Sequence, residues 1–254
     1  MAGVPLTVEQ RGATRWLRLD RPDRRNALTV DLVRRLGDAV LEAGADPSLR
    51  AIALTGAPPV FCAGGDLADL GAVADRGALA VSDVVYGQFH RLVRALADVP
   101  VPVVAAVNGA ALGAGLDLAL ACDLRVAVPD AVFASSWISV GLVPGMGGAH
   151  LLSRAVGSTR ASEMVLLGRR VGAEEARAWG LINEVVEPDV LEARVDEIGV
   201  HLATLSAPAV NRSKAALRRA LSDGFDAELA VLGATQGSLL TSEEFRAATQ
   251  RFRR

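Results

Sequence analysis

The chain has 254 residues and a mass of 26.4 kDa, room for one large domain or one domain with a small appendage, since a domain runs to about 100–200 residues. Its 51% hydrophobic and 22% charged content fits a globular chain with a sizeable core and excludes disorder. A formal net charge of -2 leaves no overall basic footprint for nucleic acid or an acidic membrane.

In chain order, Trp16 to Asp20 reads as a short strand, followed by a turn at Arg21 to Asn26. Thr29 is placed as a helix N-cap, and Leu32, Leu36, Ala39, Val40 and Ala43 recur at helical spacing up to Gly44. Ala51 to Thr55 reads as a buried strand. Val85, Phe89, Leu92, Val93 and Leu96 mark a second amphipathic helix, which Pro100 and Pro102 end before a strand at Val103 to Val107. Leu124 to Val128 is the next strand. From Asp189 the pattern is helical: Leu191, Val195, Ile198, Leu202 and Leu205 form one stripe, with further helices expected around Leu217, Leu232 and Phe245.

An α/β layer followed by helices alone implies an α/β core, 1–195, and a C-terminal helical region, 196–254. Such a tail buries little by itself, so its apolar stripes need the core or another subunit, and an oligomer is expected. No membrane span of ~20 apolar residues is present, nor a basic and then apolar leader. Two cysteines, Cys62 and Cys122, without CxxC spacing point to a reducing compartment, and the cytoplasm is the expected location.

Several chemistries are excluded by motif. Gly113 and Gly115 are followed by Leu118 where a dinucleotide fingerprint needs its third glycine, and no GxxxxGK[ST], HExxH or GxSxG occurs. The three histidines, His90, His150 and His201, are too scattered for a metal cluster, and no metal is expected. Lys214, the one lysine among 26 arginines, is given no catalytic role.

Two segments share a physical logic: a buried strand, then a small-residue turn. The first runs Phe61-Cys62-Ala63-Gly64-Gly65-Asp66-Leu67, the second Asn108-Gly109-Ala110-Ala111-Leu112-Gly113-Ala114-Gly115-Leu116-Asp117. Small residues let a ligand approach the main chain, and a helix starting near Ala114 aims free N–H groups at an anion. Two such donors converging on one oxygen make an oxyanion hole. Ordinary tight turns fit the same residues equally well.

With Arg21-Pro22-Asp23-Arg24-Arg25-Asn26-Ala27-Leu28 before them and Gly141-Leu142-Val143-Pro144-Gly145-Met146-Gly147-Gly148 after them, these segments resemble the crotonase (enoyl-CoA hydratase/isomerase) superfamily in order and spacing over nearly the whole chain. The resemblance implies a spiral of ββα units with a C-terminal helical trimerisation region, assembled as a homotrimer or homohexamer. It also implies an acyl-CoA substrate, coenzyme A being part of that substrate and no separate cofactor being needed. Carried over residue by residue, the oxyanion donors are the amides of Gly65 and Ala114, and Arg24, Ala27, Ala63, Asp66 and Leu67 surround the coenzyme A moiety.

The chain departs from the family at its acids. Hydratases that it resembles use two glutamates, where this sequence has Asp117 and Trp137. Dienoyl-CoA isomerases resemble it in having Asp at 117 but carry acids at the places of Trp137 and Gly145. Chlorobenzoyl-CoA dehalogenases share a His at 90 and a Trp at 137, yet their nucleophilic Asp aligns with Gly145. Asp117 lies on the face of Ala114, three residues on, and is the candidate acid/base, or else a local cap or ion-pair partner. His90 is a pocket residue or a structural one, and Trp137 shapes the acyl pocket or fills core. Arg251, Arg253 and Arg254 offer charge to the coenzyme A phosphates or end a solvated helix. A non-catalytic acyl-CoA-binding protein is the alternative to an enzyme.

Overall fold

The computed structural model describes residues 5–221, 236–237 and 239–250. Its centre is a six-stranded sheet in the order β1-β2-β3-β4-β6-β9, formed by β1 (Leu6–Arg11), β2 (Thr14–Leu19), β3 (Ala51–Gly56), β4 (Val103–Val107), β6 (Leu124–Ala127) and β9 (Glu184–Val185). Only β1 runs antiparallel, hairpinned onto β2 from Leu6↔Leu19 to Arg11↔Thr14; the other pairings are parallel. A smaller sheet sets β5 (Ala111–Leu112) beside β7 (Val132–Ala134) and β8 (Arg170–Gly172).

The strands expected at Ala51, Val103 and Leu124 are present with boundaries within a residue. Every residue of β3 and β4 is buried, as parallel strands covered on both faces must be. Fully burying a Val or Leu side chain contributes about 1.5–3 kcal/mol, so these short runs are the backbone of the core.

Helices supply the cover. The expected first helix is α1 (Val30–Ala45), and Thr29 caps it as predicted, its side chain accepting from the Leu32 amide. Helix α2 is Leu67–Ala74. The second predicted helix begins as a π-helical turn, Val81–Tyr86, and continues as α3 (Gly87–Asp98), whose buried face carries Phe89, Leu92, Val93 and Leu96. Gly37 of α1 lets that helix lie close to Leu92. Next come α4 (Ala114–Leu120), α5 (Gly148–Leu166, broken at Gly157 where φ is 79°), α6 (Ala173–Ala178), α7 (Leu191–Thr204), α8 (Ala207–Leu221) and α9 (Glu243–Thr249). The succession β4-β5-α4 and then β6-β7-α5 is the ββα unit in repetition.

The C-terminal stripe divides in two. Leu191 and Val195 of α7 are buried while Leu205 is exposed, and α7 runs across residue 195. Lys214 ties α8 to the core, donating to the carbonyls of Leu96 and Val101 at 3.0 Å each and pairing with Asp123 at 2.7 Å. The helix expected around Leu232 and the arginines at 251, 253 and 254 lie outside the described residues. Cys62 and Cys122 are free and buried, and burial pushes both thiols up to about 12. Among the described residues no helix is long and apolar enough to cross a membrane, and no group of His, Cys, Asp or Glu has the arrangement of a metal site.

Candidate active site

The two small-residue turns are joined to each other. Cys62 bridges Ala111: the Cys62 amide donates to Ala110 O and the Leu112 amide to Cys62 O, both at 3.0 Å. The Arg21–Leu28 turn is laced to the first of them, with Leu28 N donating to Gly64 O at 2.8 Å and Asp66 N to Leu28 O at 2.9 Å. Gly64 (φ 106°) lies against Leu112 O and near the Ala114 amide, so that only glycine fits. Gly113 (φ 52°, ψ −119°) turns the chain into α4. Among the described residues neither the Gly65 nor the Ala114 N–H donates a backbone hydrogen bond outside regular secondary structure, and Ala114, opening α4, precedes the point where intrahelical donors begin. The turns that carry these two amides are adjacent, with Gly64 beside the Ala114 amide.

Asp117, in the first turn of α4, has no exposed surface. It caps nothing and forms no ion pair among the described residues, which removes the local role left open by its sequence. Neither carboxylate oxygen has a complete hydrogen bond, and Trp137 Nε1 is equally without a partner. Burial lifts Asp117 to about 8, against the smaller opposing pull of the Met146 amide and the Trp137 indole N–H. Glycine at 148 makes room for the acid. A Cβ on Gly148 would collide with the carboxylate, and one on Gly113 would lie 3.9 Å from the Trp137 ring.

Trp137 sits in a 3-10 turn, Ser136–Val140, and is 5% exposed. The structure therefore brings Gly65, Ala114, Asp117 and Trp137 into one neighbourhood. His90 stands behind it: its Nε2 lies 2.9 Å from the carbonyl of Gly145, and burial pushes its pKa down. A neutral ring donating Nε2–H to that carbonyl satisfies both groups. His90 thus acts on the Val143–Gly148 turn.

The residues expected around coenzyme A take two roles. Ala27, Ala63 and Leu67 are partly exposed beside the first turn, and Arg24 is exposed in the 3-10 turn Pro22–Arg24. Asp66 builds the site: its carboxylate caps α2 by accepting from the Ala68 and Asp69 amides and pairs with Arg21 at 2.9 Å. Asn26, not singled out by sequence, is fully buried with φ 56° and donates to the carbonyls of Ala57 and Val60 at 2.8 Å each. A cavity of about 310 Å³ opens elsewhere, between α3, α5 and α8 beside Cys122 and Lys214, and shares no lining residue with the Asp117 cluster.

The sequence model described as enoyl-CoA hydratase/isomerase matches residues 9–253. The chain belongs to the enoyl-CoA hydratase/isomerase family. It is 36% identical to the 1,2-epoxyphenylacetyl-CoA isomerase of Escherichia coli, over 84% of this chain and 81% of that one. It is 35% identical to a 4-chlorobenzoyl coenzyme A dehalogenase of Arthrobacter, over 78% and 72%. The crystal structure of an enoyl-CoA hydratase from Mycobacterium avium subsp. paratuberculosis superimposes with a TM-score of 0.88 at 34% identity, covering 98% of this chain and 99% of that one. The crotonase fold and membership of an enzyme family, both implied by the motifs, are thereby shown. In this enoyl-CoA hydratase/isomerase family member, position 145 holds glycine, and Tyr86 and Gln236 occupy the space that a side chain there would need.

Proposed function

We propose that this protein isomerises the double bond of an acyl-CoA thioester by moving one proton with one carboxylate. The observation that carries this reading is Asp117: buried, without a completed hydrogen bond, raised to about 8, and in the first turn of the helix that opens with the Ala114 amide. With a 3-enoyl thioester, ionised Asp117 takes a proton from C2, and the electron pair spreads into a dienolate whose negative oxygen the Gly65 and Ala114 amides receive. The proton then returns from Asp117 to C4, leaving the conjugated 2-enoyl thioester and the carboxylate as it began. Hydration by two carboxylates is less well supported, because the second position is Trp137, whose indole has no acid–base capacity. Arg24, Ala27, Ala63 and Leu67 are the residues we assign to the coenzyme A arm, with a homotrimer or homohexamer as the working assembly and the cytoplasm as its location.

The test is spectroscopic. Mixed with 3-hexenoyl-CoA, the protein is expected to produce the ultraviolet absorbance of a conjugated enoyl thioester, and with crotonyl-CoA to leave that absorbance in place. Because the base must be ionised, kcat/KM should rise with pH through about 8. Asp117→Asn should lower turnover by about 10²–10⁴-fold while the thioester still binds. Turnover retained in Asp117→Asn would remove Asp117 as the base.

A further inference from the structure

The carboxylate of Asp117 is shaped by a turn that it does not belong to. Gly148 presses its bare Cα against the carboxylate, and the Met146 amide pulls its pKa down without completing a hydrogen bond to it, so the Val143–Gly148 turn walls the place where the acid stands. What fixes the turn comes from two distant parts of the chain. Gln236, which has no exposed surface, donates its Nε2–H to the carbonyl of Val143 at 2.7 Å. The same amide hydrogen-bonds the hydroxyl of Tyr86. Both groups lie against Gly145, where a Cβ would come within 2.5 Å of the Tyr86 hydroxyl and 2.6 Å of Gln236 Nε2. His90, its ring 5.3 Å from that of Tyr86, holds the carbonyl of Gly145 from α3.

A second contact joins the C-terminal region to the same floor. Gly141, at the end of the Trp137 turn, lies close to the backbone of Phe245, which is fully buried in α9. The C-terminal region therefore touches both the turn that carries the Met146 amide and the turn that carries the Trp137 indole.

We infer that Gln236, acting with Tyr86, is a positioning residue for Asp117, so that the C-terminal region sets the placement of the acid/base group through the Val143–Gly148 turn. Only the kinetic consequence rests on the isomerase reading; the placement itself does not. The polar groups packed around the turn are Asp117, Trp137, Tyr86, Gln236 and His90, with Arg94 acting on His90. Burial raises Asp117 to about 8 and pushes His90 down.

The experiment uses the full chain in two variants that keep volume and lose the polar group, Gln236→Met and Tyr86→Phe. In each, the Asp117 carboxyl is titrated by carbon NMR, its signal assigned by loss in Asp117→Asn, and kcat and KM for 3-hexenoyl-CoA are measured against pH. The expected result is an upward movement of the Asp117 midpoint by about half a unit or more, because the Met146 amide, which pulls that carboxyl down, moves away with the turn. With it, kcat falls by about tenfold to a hundredfold while KM stays within about twofold, and the pH limb of kcat moves with the midpoint. An unmoved midpoint in both variants would reduce Gln236 to packing. A downward movement would mean that water had entered, and would equally overturn the inference. If Gln236→Met fails to fold, Tyr86→Phe, which keeps its ring, decides alone. If the unaltered protein leaves 3-hexenoyl-CoA unchanged, the isomerase reading fails by itself, and the titration still answers whether Gln236 positions Asp117.

Discussion

A carboxyl group without exposed surface or a complete hydrogen bond is costly to ionise, and folding must meet that cost once the medium is alkaline enough to take the proton. For Asp117 the folded pKa, about 8, lies above the ordinary value of 3.8, so between those limits the native state binds a proton that the unfolded chain has lost. Stability from this residue is therefore fully present in acid and falls as pH rises towards about 8. Asp117→Asn, which never ionises, should melt close to the unaltered protein only below about pH 4, progressively higher than it from about pH 4 to about pH 8, and by a constant margin above that; parallel melting curves across that range would contradict the burial of an uncompensated acid. The position of Asp117 was legible in the sequence, because the small-residue segment before it fixes its place three residues after Ala114. Its surroundings were legible in part. Trp137 belongs to a recognisable stretch, but Gln236 lies far along the chain and meets Val143 and Tyr86 only through the fold, with no local spacing to announce it. His90 shows the converse: apolar neighbours on its helix suggested a pocket, whereas its Nε2 is engaged by the Gly145 carbonyl.

Elements were read well where burial is total and poorly where it is not. Runs such as Val103–Val107 are apolar because helices and neighbouring strands cover both faces, and proline at 100 and 102 separates that run from α3. Strand β1 escaped notice because four of its six residues are exposed, so no alternation marks it. Strands β5 and β9 are two residues each, too short for any period, and exist because β7 and β6 pair with them. Helix α5 is interrupted at Gly157, which breaks the repeat that would have revealed it. The α4 element carries a prediction of its own. Ala114 is its first residue, a place where a helix tolerates proline because the N–H there has no intrahelical acceptor. Ala114→Pro should therefore fold, and should lose about 10²–10³ in kcat with 3-hexenoyl-CoA through loss of one oxyanion donor. Circular dichroism with turnover measurement checks both halves, and unchanged turnover would take the Ala114 amide out of the oxyanion hole.

For the whole molecule the question is what covers the apolar surface left outside. The sheet uses the inner faces of the helices: Leu191 and Val195 of α7 are buried, as are the core-facing leucines of α1 and α3. Leu166 and Leu167 at the end of α5, Val200 on α7 and Leu217 on α8 remain 67%, 78%, 67% and 69% exposed. Single exposed aliphatics are ordinary on a protein surface, and Leu79 is another at 76%, but Val200 and Leu217 lie in the region, 196–254, expected to hold subunits together. Association that buries them would stabilise the native state by mass action, making the melting temperature depend on protein concentration. Light scattering at micromolar concentration is expected to give a mass three or six times the 26.4 kDa of one chain, and dilution should lower the melting temperature. A particle of one chain's mass with a concentration-independent melt would show that these leucines and the valine are tolerated in water, and that α7 and α8 serve the core of their own subunit alone.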